Sequence, residues 1–135
     1  MDWAALITWV VTAGGGFVLL AIWLKRGGMQ QQSSGRIRPA LIMTHFLLAA
    51  TGLVLWIVYI AIDKSVLAWI AFALLLVVAT IGFAMFAIWL RQRSHREQIE
   101  QPAEQHFPIA IVGLHGLLAA TTLVLVFLAA AGVGG

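Results

Sequence analysis

The chain contains no cysteine, only three prolines, and few charges: Asp, Glu, Lys and Arg make up 10% of its 135 residues. Without cysteine there is no disulfide, no iron–sulfur cluster, no thiolate zinc site and no cysteine nucleophile. A soluble domain is usually about 25% charged and about 45–50% apolar. Here 62% of residues are apolar and the mean hydropathy is +1.00, which excludes an ordinary water-soluble fold. Disorder is excluded too, because disordered chains are poor in apolar residues and rich in charge. The net charge of +3 carries no nucleic-acid signal, since the basic residues form short clusters between apolar runs and not a continuous face.

The apolar runs are long. About 20 apolar residues in a helix cross a hydrocarbon core about 30 Å thick. Four stretches qualify: 3–24, 39–62, 65–90 and 107–131, with no Asp, Glu, Lys or Arg in any of them. The chain therefore reads as one integral membrane domain over residues 1–135, an all-α bundle of four transmembrane helices. The first span lacks a short cleavage region and is long enough to cross, so it reads as a retained helix. Lys25, Arg26, Arg36 and Arg38 follow the first span, and Arg91, Arg93 and Arg96 follow the third. Both termini lack Lys and Arg, and the connection between spans two and three holds only Asp63 and Lys64. The positive-inside rule then puts loops 25–38 and 91–106 in the cytoplasm and both termini outside, in a cell (inner) membrane. The Gln30–Gly35 and Arg91–Gln105 runs read as solvated connectors.

The chain also resembles itself. His45 to Leu55 and His115 to Leu125 agree at nine of eleven positions, at an offset of 70. Gly16-Phe17 and Ala21 to Lys25 echo Gly82-Phe83 and Ala87 to Arg91 more weakly, at an offset of 66. Two spans per half give the halves the same orientation, so the expected architecture is two helical hairpins in parallel repeat about an axis along the membrane normal. Equivalent residues then lie at equal depth, and His45 and His115 are such a pair. Pro39 and Pro108 precede them near helix starts, where proline is tolerated. His45 shares a helix face with Ala49 and Gly52, and His115 with Ala119 and Thr122. Small residues of this kind permit close helix contact or leave room for a flat cofactor. The Ala13–Gly16 stretch does the same in span one and has no phosphate-loop context.

An ionisable residue inside a span is a functional hypothesis with a named partner. For His45 and His115 the pairing points to axial ligation of one haem b by two imidazoles from facing helices. The carboxylate arms would turn to the cytoplasmic surface, where the planar donor forks of Arg36, Arg38, Arg91 and Arg93 suit them. The competing reading has each histidine donate to a backbone carbonyl or a threonine hydroxyl (Thr44, Thr51, Thr80, Thr121) of a neighbouring helix and tie the bundle together. Zinc wants three or four ligands and finds two; for copper, Met43 points to a different face from His45. A proton relay or quinone-headgroup site near the cytoplasmic surface is a looser alternative. His95 reads as solvated, and His106 as an interfacial anchor or cap that faces away from His115. Trp3, Trp23, Trp69 and Trp89 read as an interfacial belt; Trp9 and Trp56 are deeper and could border a cofactor, although a lipid-facing Trp is the more frequent case. No intramembrane carboxylate, charged ring or interior proline supports a proton-driven transporter or ion channel.

The stretch His106 to Ala110 (His-Phe-Pro-Ile-Ala), with His115-Gly after it, resembles a motif of small four-helix bacterial membrane proteins of unassigned function. The architecture is similar to the haem-binding membrane anchors of respiratory complexes and to four-helix b-type cytochromes. Those cytochromes often carry ligands for two haems at two depths, whereas this chain has one pair at one depth. The resemblance implies electron transfer involving the quinone pool. The alternative expectation is a cofactor-free structural or accessory subunit packed against a larger membrane complex.

Overall fold

A computed structural model describes residues 1–30, 36–94 and 101–133. Four helices carry the fold: α1 (Asp2–Lys25), α2 (Pro39–Ile62), α3 (Ser65–Ser94) and α4 (Ile109–Ala130). Short 3-10 turns at Gly28–Gln30 and Ala103–His106 follow α1 and precede α4, and the described residues contain no strand. The chain is an all-α four-helix bundle, and all four helices are long and apolar enough to cross a membrane. Their ends follow local chemistry. Gly27 leaves α1 at φ 77° and Asp63 leaves α2 at φ 51°, both in the left-handed region that stops a helix. Pro39 occupies the first turn of α2, and Pro108 caps α4.

α1 packs chiefly along α4, and α2 along α3; narrower α3–α4 and α1–α2 seams close the ring. The broad seams thus run between sequence halves and not within a hairpin, and the histidine helices α2 and α4 sit on opposite corners. Outside, apolar side chains face the surroundings, among them Phe83 (70% exposed), Leu117 (66%) and Ile109 (61%). Such a surface suits a lipid bilayer and marks a multi-pass membrane protein.

Burial along the bundle is uneven. At the end that holds the termini, Trp9 and Trp56 lie 6.5 Å apart between ring centres, and Trp56 and Tyr59 4.9 Å apart. The Trp9 ring fills the space over Gly52, where an added Cβ would come within 3.0 Å of it. The Trp56 indole N–H donates to the Asp2 carbonyl at 3.3 Å, and the Tyr59 hydroxyl to the Asp2 carboxylate at 3.4 Å. At the opposite, basic end Glu104 is fully buried. Its Oε1 accepts from the Ile37 N–H and from the Gln92 side-chain amide, both at 2.8 Å, and its carbonyl accepts the Trp89 indole N–H at 3.0 Å. Gln105 adds bonds to Gln92 Oε1 and the Trp89 carbonyl. This cap joins the two basic connections to the end of α3.

Between core and cap the pattern changes. Residues 13–22, 39–51, 79–88 and 109–121, the halves of the four helices nearer the basic end, include no buried residue. Buried positions also recur at the sequence offsets: Ala5 and Ala71, Trp9 and Leu75, Thr12 and Val78, and Trp23 and Trp89 at 66; Gly52 and Thr122, Trp56 and Val126, and Tyr59 and Ala129 at 70.

Several expectations change. Trp9 and Trp56 are buried core residues and do not face lipid, and Trp23 and Trp89 are buried at the basic end, so only Trp3 and Trp69 are exposed as a belt requires. A helix apolar on every side offers no hydropathy contrast between core and lipid, so sequence alone could not assign these faces. The helix expected to end at Leu90 continues to Ser94. The connection before α4 is no solvated linker over Pro102–Glu104, which is buried. Residues 31–35, His95 and Arg96 lie outside the described residues.

Candidate functional site

His45 and His115 stand two turns into α2 and α4, on opposite corners of the ring, and their side chains meet at its centre. The imidazole centres are 6.3 Å apart, with the ring planes inclined at 63°. Each ring is fixed by the helix next to it. His45 Nδ1 bonds the Val78 carbonyl on α3 at 3.0 Å, and His115 Nδ1 bonds the Thr12 carbonyl on α1 at 2.9 Å. A carbonyl only accepts, so Nδ1 carries the proton and Nε2 keeps its lone pair. The described hydrogen bonds of both rings use Nδ1 alone.

Glycine makes these approaches possible. A Cβ on Gly16 would lie 3.1 Å from His115 Cε1, and one on Gly82 would lie 3.2 Å from His45 Cε1. The two environments match at the sequence offsets: His45, Val78 and Gly82 on one side; His115, Thr12 and Gly16 on the other. They differ one turn nearer the termini. Beneath His115 the Thr12 and Thr122 hydroxyls meet at 3.3 Å, whereas the equivalent positions on the other side are Val78 and Gly52.

The remaining candidates fall elsewhere. Arg38 is the exposed N-cap of α2, Arg91 is exposed, Arg36 is half-buried, and the Arg93 guanidinium lies over the Trp89 ring at 4.9 Å. None of the four is drawn into the space between the histidines. His106 is exposed and ends the 3-10 turn, so it lies off α4 altogether. Three of the four threonines considered as histidine partners serve their own helices: Thr51, Thr80 and Thr121 donate to Leu47, Leu76 and Leu117 carbonyls. The histidines use backbone carbonyls instead.

Two things about the site were missed in the sequence. Gly16 and Gly82 were visible as matched positions in the weak echo between odd spans, but their partners were not. Glu104 gave no signal, since one of three glutamates in a polar run looks solvated. Among the described residues no group of three or more His, Asp or Glu side chains gathers as a metal site; the histidines remain a pair. A tetrapyrrole supplies four ligands of its own and asks for just such a pair. Here His45 and His115, each with Nδ1 engaged and seated against Gly82 or Gly16, are the residues that could hold such a group. Comparison of the chain with protein-family models, with curated proteins and with solved structures finds no match.

Proposed function

We propose that this protein is a small membrane electron carrier, or an electron-carrying subunit, that holds one haem b between His45 and His115. The observation that supports it most is the pair of imidazoles 6.3 Å apart, each fixed through Nδ1 to a carbonyl of the adjacent helix. A backbone acceptor on Nδ1 sets the tautomer and raises the basicity of Nε2, as second-shell partners of metal-bound histidines do. None of the residues in the turns around the pair is buried, and a flat apolar group there would add dispersion contacts to them.

Haem supplies reversible one-electron chemistry when bound. The residues of the chain perform the rest. His45 and His115 would hold it through two neutral ring nitrogens, and held in that way it would carry an electron and bind no substrate. Gly16 and Gly82 let α1 and α3 approach the rings. The packed core from Thr12, Val78 and Gly52 down to Trp56 excludes water on the termini side. We further infer from loop charge that the basic end is cytoplasmic and both termini lie outside, with the two halves related by an axis along the membrane normal. Electrons would exchange with membrane quinone or a partner subunit.

A second reading has one specific support. The Nδ1 bonds link α2 to α3 and α4 to α1, as expected of histidines that tie together a cofactor-free accessory subunit. It leaves the Nε2 atoms and the unburied turns around them without a role.

One spectrum separates the two. Protein expressed with ample haem and purified in mild detergent should give a reduced-minus-oxidised b-type spectrum, and colourless protein overturns the haem reading. His45→Ala and His115→Ala should each abolish six-coordinate haem. If both retain it, the ligands lie elsewhere, and His106 is tested next. The accessory reading predicts stoichiometric partner subunits and no haem.

A further inference from the structure

We propose that the indole N–H of Trp23 is the buried hydrogen-bond donor for a carboxylate arm of the tetrapyrrole at the basic end of the site; this rests on the haem reading above. Among the described residues, Trp23 Nε1 is the one buried side-chain nitrogen or oxygen without a partner. Trp23 is fully buried, and an indole N–H in that situation normally finds an acceptor. Its repeat counterpart Trp89 does so, donating to the Glu104 carbonyl at 3.0 Å. Trp23 has no such carbonyl.

Position points the same way. Trp23 follows Gly16 by seven residues, two helical turns, and so lies on the face of α1 that touches His115. The rise is about 10 Å, on the scale of the distance from a porphyrin's centre to its carboxylate arms. A helical side chain leans towards the N-terminus of its helix, which carries the indole back towards the histidines. Gly28 lies against the ring, where any Cβ would collide with Cδ2, Cε2 and Nε1. Trp23 therefore closes the basic end of the unburied section 13–22.

The section also leaves a carboxylate one direction. Immediately on the termini side of the histidines the bundle is closed by Thr12, Gly52, Val78 and Thr122, all buried. The Thr12 and Thr122 hydroxyls there already bond the Thr8 and Leu118 carbonyls, so an ionised carboxylate would find no unused donor. Towards the basic end it meets the unused Trp23 N–H, with the arginine-bearing connections beyond.

A chemical double-mutant cycle tests this. Haem and its dimethyl ester, whose arms are uncharged, are titrated into the wild-type protein and Trp23→Phe in the same detergent. Hydrogen bonds to a charged acceptor are stronger than neutral ones, so esterification should weaken wild-type binding about tenfold more than it weakens binding to Trp23→Phe. Equal penalties in the two proteins overturn the proposal while leaving the haem reading intact; a wild-type protein that binds neither ligand overturns both. If Trp23→Phe does not assemble, 3-benzothienylalanine at position 23 keeps the bicyclic shape and replaces N–H by sulfur, and the same comparison decides.

Discussion

Gly16→Ala is the sharpest probe of how the histidines are held. The added methyl would sit 3.1 Å from His115 Cε1 and 3.6 Å from Nδ1, whereas carbon atoms prefer about 3.5–4.0 Å. The ring must retreat by roughly 0.5 Å. Its bond to the Thr12 carbonyl is 2.9 Å, and such a retreat stretches it to about 3.4 Å, where little of a hydrogen bond remains. Within a membrane that bond is worth about 0.6 kcal/mol. Alanine regains about 1 kcal/mol of helix propensity over glycine, so the haem-free protein should melt within about 1 kcal/mol of wild type. Haem affinity should respond differently. A disturbed second-shell partner typically costs about 10–100-fold in metal affinity. Gly82→Ala, with its methyl 3.2 Å from His45 Cε1, should behave alike. Gly14→Ala is the control, because nothing lies within 4 Å of the added atom. Titration of haem-free protein, followed in the haem absorption band, and thermal melts in the same detergent give both quantities. If Gly16→Ala binds haem as tightly as Gly14→Ala, the argument that glycine sets the imidazole position is wrong.

Other consequences concern the core, the cap and the topology. Trp9→Ala removes a buried ring packed on Gly52 and Trp56 and should cost about 3–5 kcal/mol, read as a large drop in melting temperature. Glu104→Ala leaves the Ile37 N–H and the Gln92 amide without their acceptor, at about 1–3 kcal/mol for each group, and should speed proteolysis and hydrogen exchange in both basic connections. Thr122→Val removes the hydroxyl contact beneath His115 and should lower stability by about 0.6 kcal/mol, with haem still bound through both histidines. The absence of cysteine makes topology directly testable: a single cysteine at Lys64 should react with an impermeant maleimide from outside intact cells, and one at Met29 should not.

The linear pattern of this chain determined the four helices, because runs without charge long enough to cross a bilayer leave the backbone no other way to satisfy its hydrogen bonds. It also singled out His45 and His115, since two histidines recurring within a match of nine residues in eleven are visible without any fold. Which helices touch was not legible. Apolar residues cover both the lipid face and the core face of each span, so periodicity gave no reason to pack α1 on α4 and α2 on α3, or to bury Trp9 and expose Trp3. The imidazole partners were hidden for another reason: they are backbone carbonyls of Val78 and Thr12, which every residue possesses and no side-chain pattern reports. Glu104 looked solvated because the donors to its carboxylate, Ile37 and Gln92, lie 67 and 12 residues away and meet it only when the connections fold over the end of α3. Composition and repetition thus chose the helices and the histidine pair; only the packing of the tertiary structure set the rings 6.3 Å apart, fixed their Nδ1 atoms and left the turns around them unburied.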